Sequence, residues 1–160
     1  MTFSIVVEVE VVLSTEKDLS AEVPALLQST AIATLIAQQV APPADLTVLL
    51  TDDDTLQNLN RTYRGIDKTT DVLSFTDGEP PFAGAPVYLG DIAISVPQAA
   101  RQAAAGGHSV AAELQLLTVH GVLHLLGHDH ATAAEKAAMW QAQAAILTQI
   151  NAPIVAPAVE

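Results

Sequence analysis

Cysteine is absent from this 160-residue chain. Its absence excludes disulfides and thiolate metal sites, and it fits a reducing, cytoplasmic setting. Aromatic residues are only 4% of the sequence, so aliphatic side chains must build the core. Positive charge is scarce as well: six Lys and Arg face eighteen Asp and Glu, a formal net charge of −12. Nucleic-acid binders usually present a basic surface, because phosphate contacts dominate their affinity. Any RNA bound here must therefore be gripped by a small local patch, and the acid elsewhere keeps the protein in solution. Arg61, Arg64 and Lys68 form the one cluster of positive charge. Long apolar runs are missing too. Nothing approaches the ~18 residues of a spanning helix, and no basic leader precedes the first strand-like segment, which argues against a signal peptide. Neither a membrane nor DNA is an expected partner.

What is present reads as α+β, with a small mixed sheet packed on several helices around one central helix. One domain over 1–150 and a flexible tail over 151–160 fit the length and the two late prolines. Residues 3–13 alternate, Ile5, Val7, Val9 and Val11 against Glu8 and Glu10, which predicts a half-buried strand. Helical spacing of Leu26, Leu27, Thr30, Ala31, Thr34 and Leu35 predicts a helix from Ser20 to about Val40. Pro42–Pro43 ends it, and Leu46–Leu50 is a short strand. Asp52 and Asp53 are placed to cap a helix with the inward stripe Leu56, Leu59, Asn60 and Tyr63. Tyr63 thus reads as core rather than a base-stacking platform. Strands follow at Val72–Phe75 and Tyr88–Ser95 around a Gly/Pro-rich mobile loop, Thr76–Pro86, and Pro97 opens a helix. From about Ser109 to Leu126 a helix is apolar on nearly every side, and so runs through the domain centre. Thr132 with Glu135 forms a capping box for the last helix, whose stripe is Met139, Ala142, Ile146 and Ile150.

Chemistry concentrates in His120-Gly-Val-Leu-His124-Leu-Leu-Gly127-His128-Asp129-His130. Residues four apart on a helix share a face, so His120 and His124 present two imidazoles to one ion. Gly127 suits a left-handed helix stop, after which the chain doubles back with His130 as third ligand. Three protein nitrogens and one open vertex make a catalytic zinc site, whereas structural sites are closed by four ligands. One zinc ion per chain is the expected cofactor. The alternative, satisfied core histidines, leaves several imidazoles in an apolar helix needing partners. His128 is a rival third ligand if the helix continues through Gly127; otherwise it sits on the reversing loop with Asp129, which orients a neighbouring imidazole from behind the ligands. His108 reads as solvent-exposed and is assigned no role. Metzincin peptidases share the histidine spacing but carry a glutamate base directly after the first histidine. Gly121 stands there, so peptide hydrolysis lacks its proton acceptor.

The His120–His130 segment resembles the signature of the YbeY family of bacterial endoribonucleases. Leu59 to Phe75, LNRTYRGIDKTTDVLSF, is similar to a second block of that family, and Leu89-Gly90-Asp91-Ile92 to a third. Thr69, where the family often has proline, and His128, where an aromatic is usual, depart from the pattern without removing a ligand. The resemblance implies an α+β, zincin-like fold with zinc on His120, His124 and His130 in a cleft, and a functionally important Arg64. It implies a single-strand-specific RNase hydrolysing phosphodiesters in 3′-end maturation of small-subunit (16S) ribosomal RNA and in ribosome quality control. The small subunit and ribosome-assembly proteins are the implied partners. A guanidinium suits a phosphate, so Arg64 is expected to hold the scissile group, with Arg61 and Lys68 as further phosphate contacts. The alternative for Arg64 is a surface ion pair with Asp67 or Asp71. Asp71 and Asp129 are candidate bases by position only. A non-catalytic, metal-stabilised ribosome-assembly factor is the competing reading, and a metallopeptidase a third.

Overall fold

Nine elements are defined in the computed structural model, which describes residues 5–13, 19–77 and 87–152. In chain order they are β1 (Ile5–Val11), α1 (Val23–Ala37), β2 (Ala44–Thr51), α2 (Asp53–Arg64), β3 (Val72–Thr76), β4 (Val87–Ser95), α3 (Val96–Gly106), α4 (Val110–Leu125) and α5 (Ala133–Gln149). The four strands form one mixed sheet in the order β1-β2-β4-β3. The β1–β2 and β2–β4 pairs are parallel, and β3 runs antiparallel to β4 at the edge. Most of the predicted mobile loop (78–86) and of the predicted tail (153–160) lies outside the described residues.

Alternation along the strands sends Val7, Leu46, Val48, Leu50, Ile92 and Ile94 to one face, where they are buried against the helices. The helix at the centre of that layer is α4. Leu114, Leu116, Leu117, Val119, Val122 and Leu123 are each 0% exposed, so it is enclosed on all sides as its all-round apolar pattern predicts. The opposite face of the sheet is only partly covered. There α2 lays Leu56 and Leu59 over Leu49, Leu73, Phe75 and Ala93.

Local chemistry sets the boundaries. Ser95, Ser109 and Thr132 cap α3, α4 and α5, each accepting a hydrogen bond from a backbone N–H three residues on. At α2 the outcome differs: Asp52 occupies the cap position but makes no side-chain cap bond. Asp53 instead accepts from the Ser95 hydroxyl (2.6 Å) and Arg101 (2.8 Å), tying α2 to α3. Gly65, left-handed at φ 70°, stops α2 directly after Arg64. Asn60 is buried in the α2 stripe as predicted, and its amide donates to the Lys68 carbonyl (2.9 Å), holding the loop that leads into β3. Tyr63 does not join the stripe. It is 67% exposed in the last turn of α2, where its ring meets Phe75 of β3 without being enclosed.

Candidate metal centre and cleft

His120 and His124 project from the last two turns of α4. That helix stops at Leu125, and Gly127 at φ 99° turns the chain back. His130 then returns to the same point. Ring centroids lie 4.6 Å apart for His120–His124, 5.2 Å for His124–His130 and 5.8 Å for His120–His130. One nitrogen from each ring falls within 4.8 Å of the other two. Small side-chain adjustments bring such a trio to the ~2.0–2.1 Å zinc–nitrogen distance.

The donor chemistry fits a metal. His120 is 2% exposed, and its Nδ1 lies 3.0 Å from Oε1 of the buried Gln143 on α5. An amide oxygen only accepts, so Nδ1 carries the proton and Nε2 keeps a lone pair for an ion. Burial, then repulsion from His124, lowers the His120 pKa from 6.5 to about 3, the Gln143 bond opposing. His124 is also lowered, by burial and then by His130, against a hydrogen bond to the backbone of His128. Both rings are thus held neutral, the form that ligates. Trp140 stands edge-on to His120 (5.8 Å, 88°) and His130 (5.6 Å, 83°), walling the cluster on the α5 side.

The imidazoles open into a cavity of about 360 Å³ whose lining includes Arg64, Thr70–Ser74, Thr76 and Asp129. Among the described residues Arg64 supplies its one permanent positive charge. The edge strand β3 forms the opposite wall, and the Ser74 hydroxyl pins it to α4 by donating to the Gly121 carbonyl (3.1 Å). Gly121 lets α4 approach β4 closely, since a Cβ there would stand 2.7 Å from Cγ2 of Ile92. A glutamate at that position would have to displace the buried Ile92 side chain, so packing as well as sequence disfavours the peptidase base.

Residues 8–151 match the family model described as Endoribonuclease YbeY. The chain belongs to the YbeY endoribonuclease family. It is 52% identical over 122 residues to the Endoribonuclease YbeY of Moorella thermoacetica, covering 72% of this chain and 78% of that one. Against the protein of the same description from Chloroflexus aurantiacus it is 47% identical over 134 residues, covering 80% and 87%. The solution structure of TM1509 from Thermotoga maritima shares the fold, with a TM-score of 0.54 at 21% identity over 89% of this chain and 91% of that one. The α+β expectation, with the histidine cluster on a central helix, is borne out.

Within this YbeY-family cleft the other predicted residues separate. Arg64 lines it; Arg61 and Lys68 do not. Arg61, not Arg64, faces Asp67, at 3.9 Å, and also donates to Asn58 (2.9 Å). Lys68 is exposed, and its backbone carbonyl accepts from Asn60. His128 turns its ring away to Gln38 (2.9 Å), so it does not compete as third ligand. Asp129 accepts from the His130 backbone N–H (2.7 Å), fixing the loop rather than bonding an imidazole. His108 is not solvent-exposed as its loop position suggested. Its Nε2 is 2.6 Å from the buried Glu113, and only 17% of the side chain is accessible. Glu113 in turn accepts from Gln102 (2.9 Å), which also donates to Asp71 (3.3 Å) on the cleft wall. Sequence reasoning missed Gln143 and Trp140. The available signal for Gln143 was a polar residue between Met139 and Ile146 on the buried side of α5.

Proposed function

We propose that the chain is a zinc-dependent endoribonuclease that hydrolyses phosphodiester bonds in single-stranded RNA. The observation that carries this reading is the shared cavity of about 360 Å³ lined by Arg64 and by three converging imidazoles. His120, His124 and His130 would hold the ion, which when bound supplies Lewis-acid polarisation and lowers the pKa of an attacking water. Arg64 binds the scissile phosphate through its planar fork and offsets charge developing on the phosphoryl oxygens. Gln143 and the His128 carbonyl orient two of the rings. Asp71, bonded to the Val72 N–H (2.8 Å), and Asp129 keep carboxylates in the lining, where either can receive a proton. Family membership supports RNA as substrate, and 3′-end maturation of small-subunit ribosomal RNA in the cytoplasm, alongside assembly proteins, is the setting we propose.

The test is cleavage of single-stranded and duplex RNA by zinc-loaded protein, with His120→Ala and Arg64→Ala alongside. Losing an electrostatic contact to the transition state costs roughly 10²–10³ in rate, the loss expected for Arg64→Ala. Cleavage surviving in both variants would remove the enzyme claim. The net charge of −12 favours one competitor, a non-catalytic assembly factor whose metal mainly organises the fold by tying the loop at His130 to α4. That reading predicts metal-dependent thermal stability without metal-dependent cleavage.

A further inference from the structure

The last two residues of α2 have different destinations. Arg64 lines the metal cleft, while Tyr63 lines a second cavity of about 470 Å³. Alternation along β3 relates the two spaces: Ser74 and Thr76 face the metal cleft, and Phe75 between them faces the second cavity. The two cavities thus meet at adjacent residues of α2 and of β3, so one RNA strand passing over β3 would meet both.

The second cavity is built differently from the first. Leu59, Tyr63, Phe75 and Tyr88 give it apolar and aromatic walls, and Glu10 and Asp91 contribute carboxylates. Among the described residues its lining contains no Lys or Arg. Such a site repels phosphate and attracts a flat, neutral group rich in N–H donors. Tyr63 is 67% exposed, yet its ring is positioned, edge-to-face with Phe75 at 5.2 Å and 63°, so it offers accessible ring surface for stacking. The Tyr88 hydroxyl is bonded both to Thr47 (2.9 Å) and to Oδ1 of Asp91. Its single proton goes to the carboxylate, which only accepts, and Asp91 is held in place with Oδ2 as a further acceptor.

We infer that this cavity takes the base of a nucleotide flanking the scissile phosphate, stacked on Tyr63 and read by Asp91, with guanine preferred. This rests on the RNase reading above. Unpaired bases are commonly stacked on aromatic side chains and read along their Watson–Crick edges. Guanine offers two adjacent donors there, N1–H and N2–H, to a carboxylate; adenine and cytosine offer one amino group, and uracil one N–H between repelling carbonyls.

Equilibrium anisotropy with fluorescein-labelled, cleavage-resistant (2′-O-methyl, phosphorothioate) single-stranded RNA heptamers, identical but for one G or U, tests the inference on zinc-loaded protein. Stacking of one base contributes about 5- to 150-fold in affinity. Tyr63→Ala and Tyr63→Leu should weaken binding by that factor, and Tyr63→Phe by less than twofold. Wild type should favour the G-containing RNA several-fold, and Asp91→Asn should level the two. Arg64→Ala should weaken both RNAs equally. If Arg64→Ala weakens binding while Tyr63→Ala and Tyr63→Leu do not, the base site is refuted and the nuclease reading stands. A G-over-U preference that persists in Asp91→Asn refutes the assignment of Asp91. Wild-type protein that neither binds nor cleaves RNA overturns both readings together.

Discussion

Gln143 offers the most direct test of the metal centre, because it touches no substrate and reaches the site only through His120. Its Oε1 sits 3.0 Å from Nδ1, and the amide is 1% exposed, so water has little access to replace it. Gln143→Leu preserves volume but removes the acceptor. Two consequences follow. First, a buried N–H loses its partner, which costs about 1–3 kcal/mol of stability in the metal-free protein. Second, the ring is freed to rotate and to place its proton on either nitrogen. Loss of such an outer hydrogen bond lowers metal affinity 10- to 100-fold, about 1.4–2.7 kcal/mol. Gln143→Glu retains an oxygen acceptor and adds a negative charge beside the imidazole, so affinity should hold or rise. The assay is competition for zinc against a chromophoric chelator, with circular dichroism as a check on folding. A folded Gln143→Leu protein whose zinc affinity stays within twofold of wild type would refute the orientation argument.

Two further predictions concern the helix beneath the site and its protonation. Gly121→Ala places a methyl 2.7 Å from Ile92 Cγ2, and overpacking of about 1–3 kcal/mol outweighs the ~1 kcal/mol that alanine gains in a helix. Thermal unfolding should show a lowered midpoint, and an unchanged or raised one would contradict the close α4–β4 contact. In the metal-free protein the depressed His120 pKa, about 3 against 6.5 unfolded, makes the unfolded state bind the extra proton between those values. Stability should therefore be intact above pH 6.5 and fall progressively as the pH drops towards 3. The loss is about 5 kcal/mol at most, at ~1.4 kcal/mol per pH unit. Urea titrations of chelator-treated protein across that window measure it, and His120→Asn should flatten the slope.

Much of this arrangement was determined by local sequence. The period of α4, the stop at Gly127 and the four-residue step from His120 to His124 are properties of a helix and its end, set by dihedrals and near neighbours. They place two imidazoles on one face wherever that helix packs. Strand alternation in β1 and the caps at Ser95, Ser109 and Thr132 are local in the same sense. Only the tertiary structure decided what meets the site from far along the chain. Gln143 reaches His120 across 23 residues, and His128 is taken away by Gln38 across 90. His108 finds Glu113 within five residues, but the pair is dry only because α4 is enclosed. Tyr63 shows the limit most plainly. Its helical spacing is that of a core residue and it does reach Phe75, yet it stays 67% exposed because nothing further along the chain, among the described residues, encloses it, and periodicity carries no information about such enclosure.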